Sequence, residues 1–253
     1  MKSITFADIH TIGDIIAENE LFRQVHCPDM PNRYDSNFIE FKRMPTLKEF
    51  TETAEYLRAF HLKRNQKHVK FYLPENEKPT AELTDYLQTE NYEVGFLELY
   101  AIEPGLFPKI EEQPIIEIHA VAADNFSMYL DLQYQADLQF GVEYAKQKVN
   151  LYKRHFSNPA IMQIIAFYQG VPAGSVEVII TDETAEIDGL SVKEAFQKKG
   201  IGSRIQQFVM GTFSDKTVIL VADGEDTPRE MYRRQNYQYL GFQYEIFENM
   251  ALS

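Results

Sequence analysis

LSVKEAFQKKGIGSRIQQFV, residues 190–209, joins an apolar strand-like run to a helical one through a pair of glycines. The strand pattern ends at Val192. Gln197-Lys198-Lys199-Gly200-Ile201-Gly202 then leads directly into apolar residues at helical spacing, which predicts a helix over residues 200–213. The first turn of a helix leaves backbone N–H groups without partners, and its dipole adds partial positive charge. Glycines at 200 and 202 put no Cβ between that backbone and a ligand. Lys198, Lys199 and Arg204 add cations. The loop therefore suits an anion, and a pyrophosphate in particular. Two other nucleotide loops fit worse. A dinucleotide fingerprint needs a third glycine where Ile205 stands, and a P-loop needs a Gly-Lys-Ser/Thr that is absent.

Outward from this loop, the second half of the chain alternates between strand and helix patterns. Residues 115–121 read as a strand. Residues 124–156 carry Leu130, Tyr134, Leu138, Val142, Ala145 and Val149 at helical steps, predicting one long helix or two short ones. Residues 161–167 and 173–180 form a predicted hairpin around a turn at 169–172, and residues 185–192 a further strand. Beyond the loop come a buried-type strand at 217–222, a helix at 227–235 with Pro228 in its first turn, and a closing strand at 241–250. The order is β, α, β, β, β, α, β, α, β.

The first half yields less: helices at 46–61 (Leu47, Phe50, Ala54, Leu57) and 80–88, and strands at 69–73 and 94–101. Between the halves, PGLFPKIEEQP at 104–114 holds three prolines, one glycine and three charges, the composition of a linker. It predicts domains at 1–103 and 115–253. An internal echo relates them. HVKFYLPENEKPTAELTDYLQTENYEVGF (68–96) and VILVADGEDTPREMYRRQNYQYLGF (218–242) share an apolar strand, an acidic turn with proline, a tyrosine-bearing helix, Asn-Tyr and Gly-Phe, as a duplicated unit would.

Composition narrows the function. Of 253 residues, 38 are acidic and 25 basic, a formal charge of −13. That argues against nucleic acid or an anionic membrane as the main partner and favours a cationic one such as an amine. A single cysteine, Cys27, permits no intramolecular disulfide and no zinc site needing two thiolates, and the six histidines form no HExxH, so no metal is expected. Neither a signal peptide nor a span of ~18 apolar residues is present, which makes the cytoplasm the simplest location.

Leu190-Ser191-Val192, four residues, and then Gln197-x-x-Gly200-x-Gly202 resemble motif A of the GNAT superfamily, the GCN5-related N-acetyltransferases. The resemblance covers residues 115–253, and the order of elements there is similar to that fold. It implies an α/β (α+β) GNAT fold, a mixed central sheet flanked by helices, preceded by a smaller degenerate GNAT-like domain without a phosphate loop. It implies acetyl-CoA as co-substrate, with its pyrophosphate on Gln197, Lys198, Lys199, Gly200, Ile201, Gly202 and Ser203, and its pantetheine arm along the backbone of Leu190 and Val192. Tyr232 stands where the family often carries a tyrosine general acid, which would protonate the departing thiolate. Two departures stand out: Asp223, Glu225 and Asp226 fill a loop where many relatives have an asparagine, and Asn236-Tyr237 replaces a Gly-Phe. Asn tolerates the left-handed conformation that the glycine would adopt.

A base must also deprotonate the attacking ammonium. Glu186 and Asp188 alternate along their strand, which predicts that they share a face with Leu190. Asp188 is the first candidate and Glu177 the second. The resulting reading is acetyl transfer to an amine, on a small molecule or a protein. The alternatives are a longer acyl-CoA, or a CoA-binding regulatory or interaction protein without catalysis. The acceptor is not legible, and no oligomeric state is fixed; a homodimer is allowed.

Overall fold

The computed structural model describes residues 4–111, 113–224 and 228–250. The chain divides into two compact units, one of Met1–Leu99, Ala222–Thr227 and Leu240–Ser253, the other of Tyr100–Val221 and Pro228–Tyr239.

In the first unit the elements run β1 (Asp14–Glu18), β2 (Phe22–His26), β3 (Phe38–Phe41), α1 (Leu47–Leu62), β4 (His68–Tyr72), α2 (Ala81–Thr89) and β5 (Glu93–Ile102). Helix α1 starts at Thr46, whose hydroxyl accepts from Glu49 N–H while the Glu49 carboxylate accepts from Thr46 N–H, a reciprocal capping box. Its stripe of Phe50, Ala54 and Leu57 meets Leu83 and Leu87 of α2 over Ile39, Phe41, Val69, Phe71 and Leu73, an apolar burial that stabilises the unit by keeping large side chains out of water. Strands β3 and β4 are parallel, with Ile39↔Phe71 and Glu40↔Tyr72 in register. The helices and β4–β5 fall where their spacing predicts, whereas β1, β2 and β3 are not anticipated. The last strand of the chain, β11 (Gln238–Asn249), completes this unit by pairing antiparallel with β4 from Glu245↔Tyr72 to Asn249↔His68.

The second unit contains β6 (Ile116–Ala120), α3 (Phe126–Asp137), α4 (Val142–Phe156), β7 (Ile161–Tyr168), β8 (Val171–Ile180), β9 (Thr184–Val192), α5 (Ile201–Thr212), β10 (Thr217–Asp223) and α6 (Pro228–Arg234). The strand order is β6-β7-β8-β9-β10, antiparallel except for the parallel β9–β10 pair. It is a mixed sheet flanked by helices, as the order of elements implies. The β7–β8 hairpin turns on Gln169 and Gly170 alone, at φ 51° and 76°, the geometry that matches strand twist in a two-residue turn. Val171 and Pro172 therefore belong to β8 rather than to the turn.

Candidate functional site

The site is built on the passage from β9 to α5. Gly200 is the N-cap at φ 84°, and no side chain caps the helix; Lys198 is also left-handed, at φ 61°. Holding a lysine there costs about 1 kcal/mol or more. Two left-handed residues around Lys199 curl the backbone into a concave row of N–H groups, a geometry that accepts anions. The space above the glycines is open. A Cβ on Gly200 would come no closer than 3.7 Å to Gln113 Nε2, and one on Gly202 would meet Val192 Cγ2 at 3.9 Å. The fold itself thus accommodates a side chain at 202, whereas the left-handed backbone at 200 favours glycine in its own right, and the bare backbone of both is left for something else to approach. Gln197 donates from Nε2 to the Val192 carbonyl at 3.2 Å, which closes the loop on its own strand. The Lys199 ammonium lies 5.1 Å over the ring of Tyr168.

Strand β9 is interrupted where it reaches the loop. Its pairing with β10 runs from Thr217↔Thr184 to Leu220↔Ile187, yet β9 continues to Val192. On the β8 side the register slips: Glu177 faces Asp188, but Ser175 faces Ser191, so β9 carries one extra residue. Gly189 supplies it, at φ 64°, a bulge of the kind that bends a strand away from its neighbour. The bulge also corrects the face assignment made from plain alternation. Asp188 and Ser191 share the face of Glu177 and Ser175, and Leu190 is turned to the opposite one.

The two candidate bases differ sharply in environment. Asp188 is half-buried. Glu177 is 5 % exposed and accepts from His155 Nδ1 at 2.9 Å and from Gln163 Nε2 at 2.8 Å. Burial pushes its pKa up, but the bond to His155 and the attraction of that ring more than offset it and hold the carboxyl below its ordinary value. A buried polar chain continues from there. Gln133 donates to the Tyr129 hydroxyl at 3.4 Å, Ser175 donates to Gln133 Oε1 at 2.7 Å, and the Ser175 and Ser191 hydroxyls lie 3.3 Å apart. These residues escape a sequence reading because a buried Gln, His or Tyr on a helix looks like any core-facing polar residue; Gly189, alone inside a strand, was the legible signal.

Tyr232 sits on α6, half-buried, its ring centroid 5.2 Å from that of Tyr100 and 5.4 Å from that of Tyr237. The helix ends as a glycine-capped one would. Asn236 takes φ 66°, Tyr237 N–H bonds the Tyr232 carbonyl at 3.0 Å, and Asn236 Nδ2 donates to the Leu106 carbonyl at 2.8 Å. Gln235 Nε2 donates to Ser203 Oγ at 3.2 Å, and the Tyr237 hydroxyl donates to Gln206 Oε1 at 2.8 Å. Tyr232 is therefore tied, through the end of its helix, to the first turns of α5. Of the acidic loop before α6, Asp223 is exposed at the end of β10, while Glu225 and Asp226 lie outside the described residues. No helix among the described residues is long and apolar enough to cross a membrane.

Residues 129–237 match the acetyltransferase (GNAT) family, and residues 4–100 match a domain of unknown function, DUF5613. A functionally unknown conserved protein from Staphylococcus epidermidis is 36 % identical, with a TM-score of 0.88 over 97 % of this chain and 98 % of that one. A GCN5-related N-acetyltransferase from Kribbella flavida is similar in fold, at 14 % identity and a TM-score of 0.61 over 93 % of this chain and 89 % of its own. A tandem GNAT protein from the clavulanic acid biosynthesis pathway aligns at 8 % identity and a TM-score of 0.53, over 84 % of this chain and 75 % of its own. These alignments extend through the first unit, whose fold is GNAT-like. No curated protein matches the sequence.

Proposed function

Since the chain belongs, through residues 129–237, to the GNAT family of acetyltransferases, we propose that it moves an acetyl group from acetyl-CoA to an amine by direct attack. The observation that supports this most is the uncapped start of α5 behind a strand that has parted from its neighbour. Acetyl-CoA would supply the thioester carbonyl. The N–H groups from Gln197 to Ser203 would hold its pyrophosphate, with Lys198 and Lys199 adding charge, and Leu190 and Val192 would offer their backbone to its pantetheine arm. Asp188 takes the proton from the ammonium, because it has the access that buried Glu177 lacks; Glu177 anchors the strand opposite it. As the amine nitrogen bonds to the carbonyl carbon, the carbon–sulfur bond breaks and the Tyr232 hydroxyl gives its proton to the thiolate. A location in the cytoplasm and a linker at 104–114 remain part of this reading, with the last strand of the chain returning to the first unit.

The test is CoA release on incubation with acetyl-CoA and a panel of polyamines, aminoglycosides, amino acids and peptides, repeated with Tyr232→Phe. Release that depends on one amine class, and falls at least about tenfold in the variant, supports the reading. Tight acetyl-CoA binding with no release for any amine would favour a CoA-binding regulatory protein instead.

A further inference from the structure

A second feature lies in the first unit, where an open cleft of about 380 Å³ is lined by Tyr34, Lys70, Glu93, Gly95, Asp223, Glu245 and Phe247, with Val94 at its edge. Its floor is unusual. Lys70 is 8 % exposed and its ammonium is already bound by Asp35 and by Glu245 Oε2, the latter at 2.9 Å. Lys70 is thus not an anion receptor; it fixes the Glu245 carboxylate in place. The other oxygen, Oε1, is the atom that a Cβ on Gly95 would meet, at 3.4 Å. A single glycine therefore keeps a pre-positioned carboxylate oxygen uncovered. One wall is aromatic: the rings of Tyr34 and Phe247 lie 4.6 Å apart, with Tyr34 40 % exposed. Glu93 and Asp223 are exposed at the rim.

We propose that this cleft binds a linear alkyl polyamine. A fixed carboxylate at the floor takes an ammonium by charge-assisted hydrogen bonds, aromatic faces take a methylene chain or a cation, and rim carboxylates take a second ammonium. Three carboxylates against one committed lysine make an anion a poor occupant. The aromatic wall and the uncovered floor distinguish the cleft from a solvated acidic patch. The assignment does not rest on the acyl-transfer reading, since every residue lining the cleft belongs to the first unit.

The experiment is calorimetric titration of the intact protein with spermidine, without acetyl-CoA. One site per chain is expected, weakened about tenfold or more by Glu93→Gln and by Glu245→Gln, and abolished by Gly95→Leu, which fills the floor. Glu82→Gln, an exposed acidic position on α2, should leave it unchanged. Gly95→Leu guards against a folding defect in Glu245→Gln, since it leaves the Lys70 ion pairs intact; its thermal melt is the check. Absence of saturable binding, or equal binding in all four variants, overturns the proposal. Binding that follows this pattern without any CoA release keeps the cleft and removes the acyl-transfer reading.

Discussion

Gly202→Asp separates folding from ligand binding at the start of α5. Gly202 is the second residue of the helix, and a Cβ there meets only Val192 Cγ2, at 3.9 Å, an ordinary contact. The fold accepts the side chain, and a carboxylate in a first turn is stabilising by about 0.3–1 kcal/mol. A bound pyrophosphate would feel the opposite. A carboxylate about 5 Å from one of its charges costs about 3 kcal/mol at an effective dielectric constant near 20. Salt at an exposed helix end reduces that by about half. The net loss is about 1.5–3 kcal/mol, or about ten- to a hundredfold in acetyl-CoA affinity. Calorimetric titration with acetyl-CoA and a thermal melt measure the two effects side by side. Gly202→Ala, with the same Cβ and no charge, should stay within about threefold of wild type. A Gly202→Asp protein that melts normally and binds acetyl-CoA with unchanged affinity would refute the placement of the pyrophosphate.

Titration of the intact chain should give one acetyl-CoA site rather than two. Asn236→Ala should lower stability by about 1 kcal/mol in a thermal melt, because alanine is strained at φ 66°, while Asn236→Gly should cost less. Stability should fall in acid: His61 and His68 are buried with ring centroids 4.8 Å apart and neither Nε2 has a hydrogen-bond partner, and burial lowers their pKa values to about 4 and about 3. Both lie below the unfolded value of about 6.5, so the unfolded chain takes up protons first; the contribution is full above that pH and is lost, to the extent of several kcal/mol, as pH falls toward 4. Urea midpoints at pH 7 and pH 5 check this, and equal midpoints would exclude it.

What the sequence made legible follows from how strongly each segment is constrained. The helices carry clean apolar stripes, and strands such as residues 161–167 and 217–222 are bounded by turn residues, so pattern alone finds them. β1 (DIIAE) is exposed along most of its length and β3 has four residues. Neither has a buried face long enough to impose a period. The left-handed turn and uncapped start of α5 are readable because their glycines act through the backbone, in one contiguous stretch. The surroundings of the candidate bases are not, since Glu177, His155 and Gln163 come from three separate elements. Strict alternation puts Leu190 on the wrong face for a related reason: it assumes no bulge, and Gly189 is where that assumption breaks.

The same logic explains why two units of like topology are expected to share only one cofactor site. Each has a strand, a helix and a parallel strand: β3, α1, β4 in the first, β9, α5, β10 in the second. What differs is the start of the helix. At α1 the Thr46 hydroxyl and the Glu49 carboxylate take up the N–H groups that a phosphate would need, and Arg43 clamps Glu49. The bond from Arg43, with those from Thr46, holds the Glu49 carboxyl down at about 2, so it stays anionic across the physiological range. Near the ends of β3 and β4, Glu40, Glu75 and Glu77 line a second acidic hollow beside Phe6. At α5 the cap is a left-handed glycine with no side chain to compete. A capping box secures the fold of the first helix by satisfying its N–H groups internally; leaving them open behind a glycine cap weakens the second helix by only about a few tenths of a kcal/mol and makes its N-terminus available to an anion. Converting Gly200 to Ser would move α5 toward the first arrangement but would place a Cβ on a left-handed residue at φ 84°, so it should cost about 1–2 kcal/mol in a thermal melt as well as acetyl-CoA affinity, whereas Gly202→Asp should cost affinity alone.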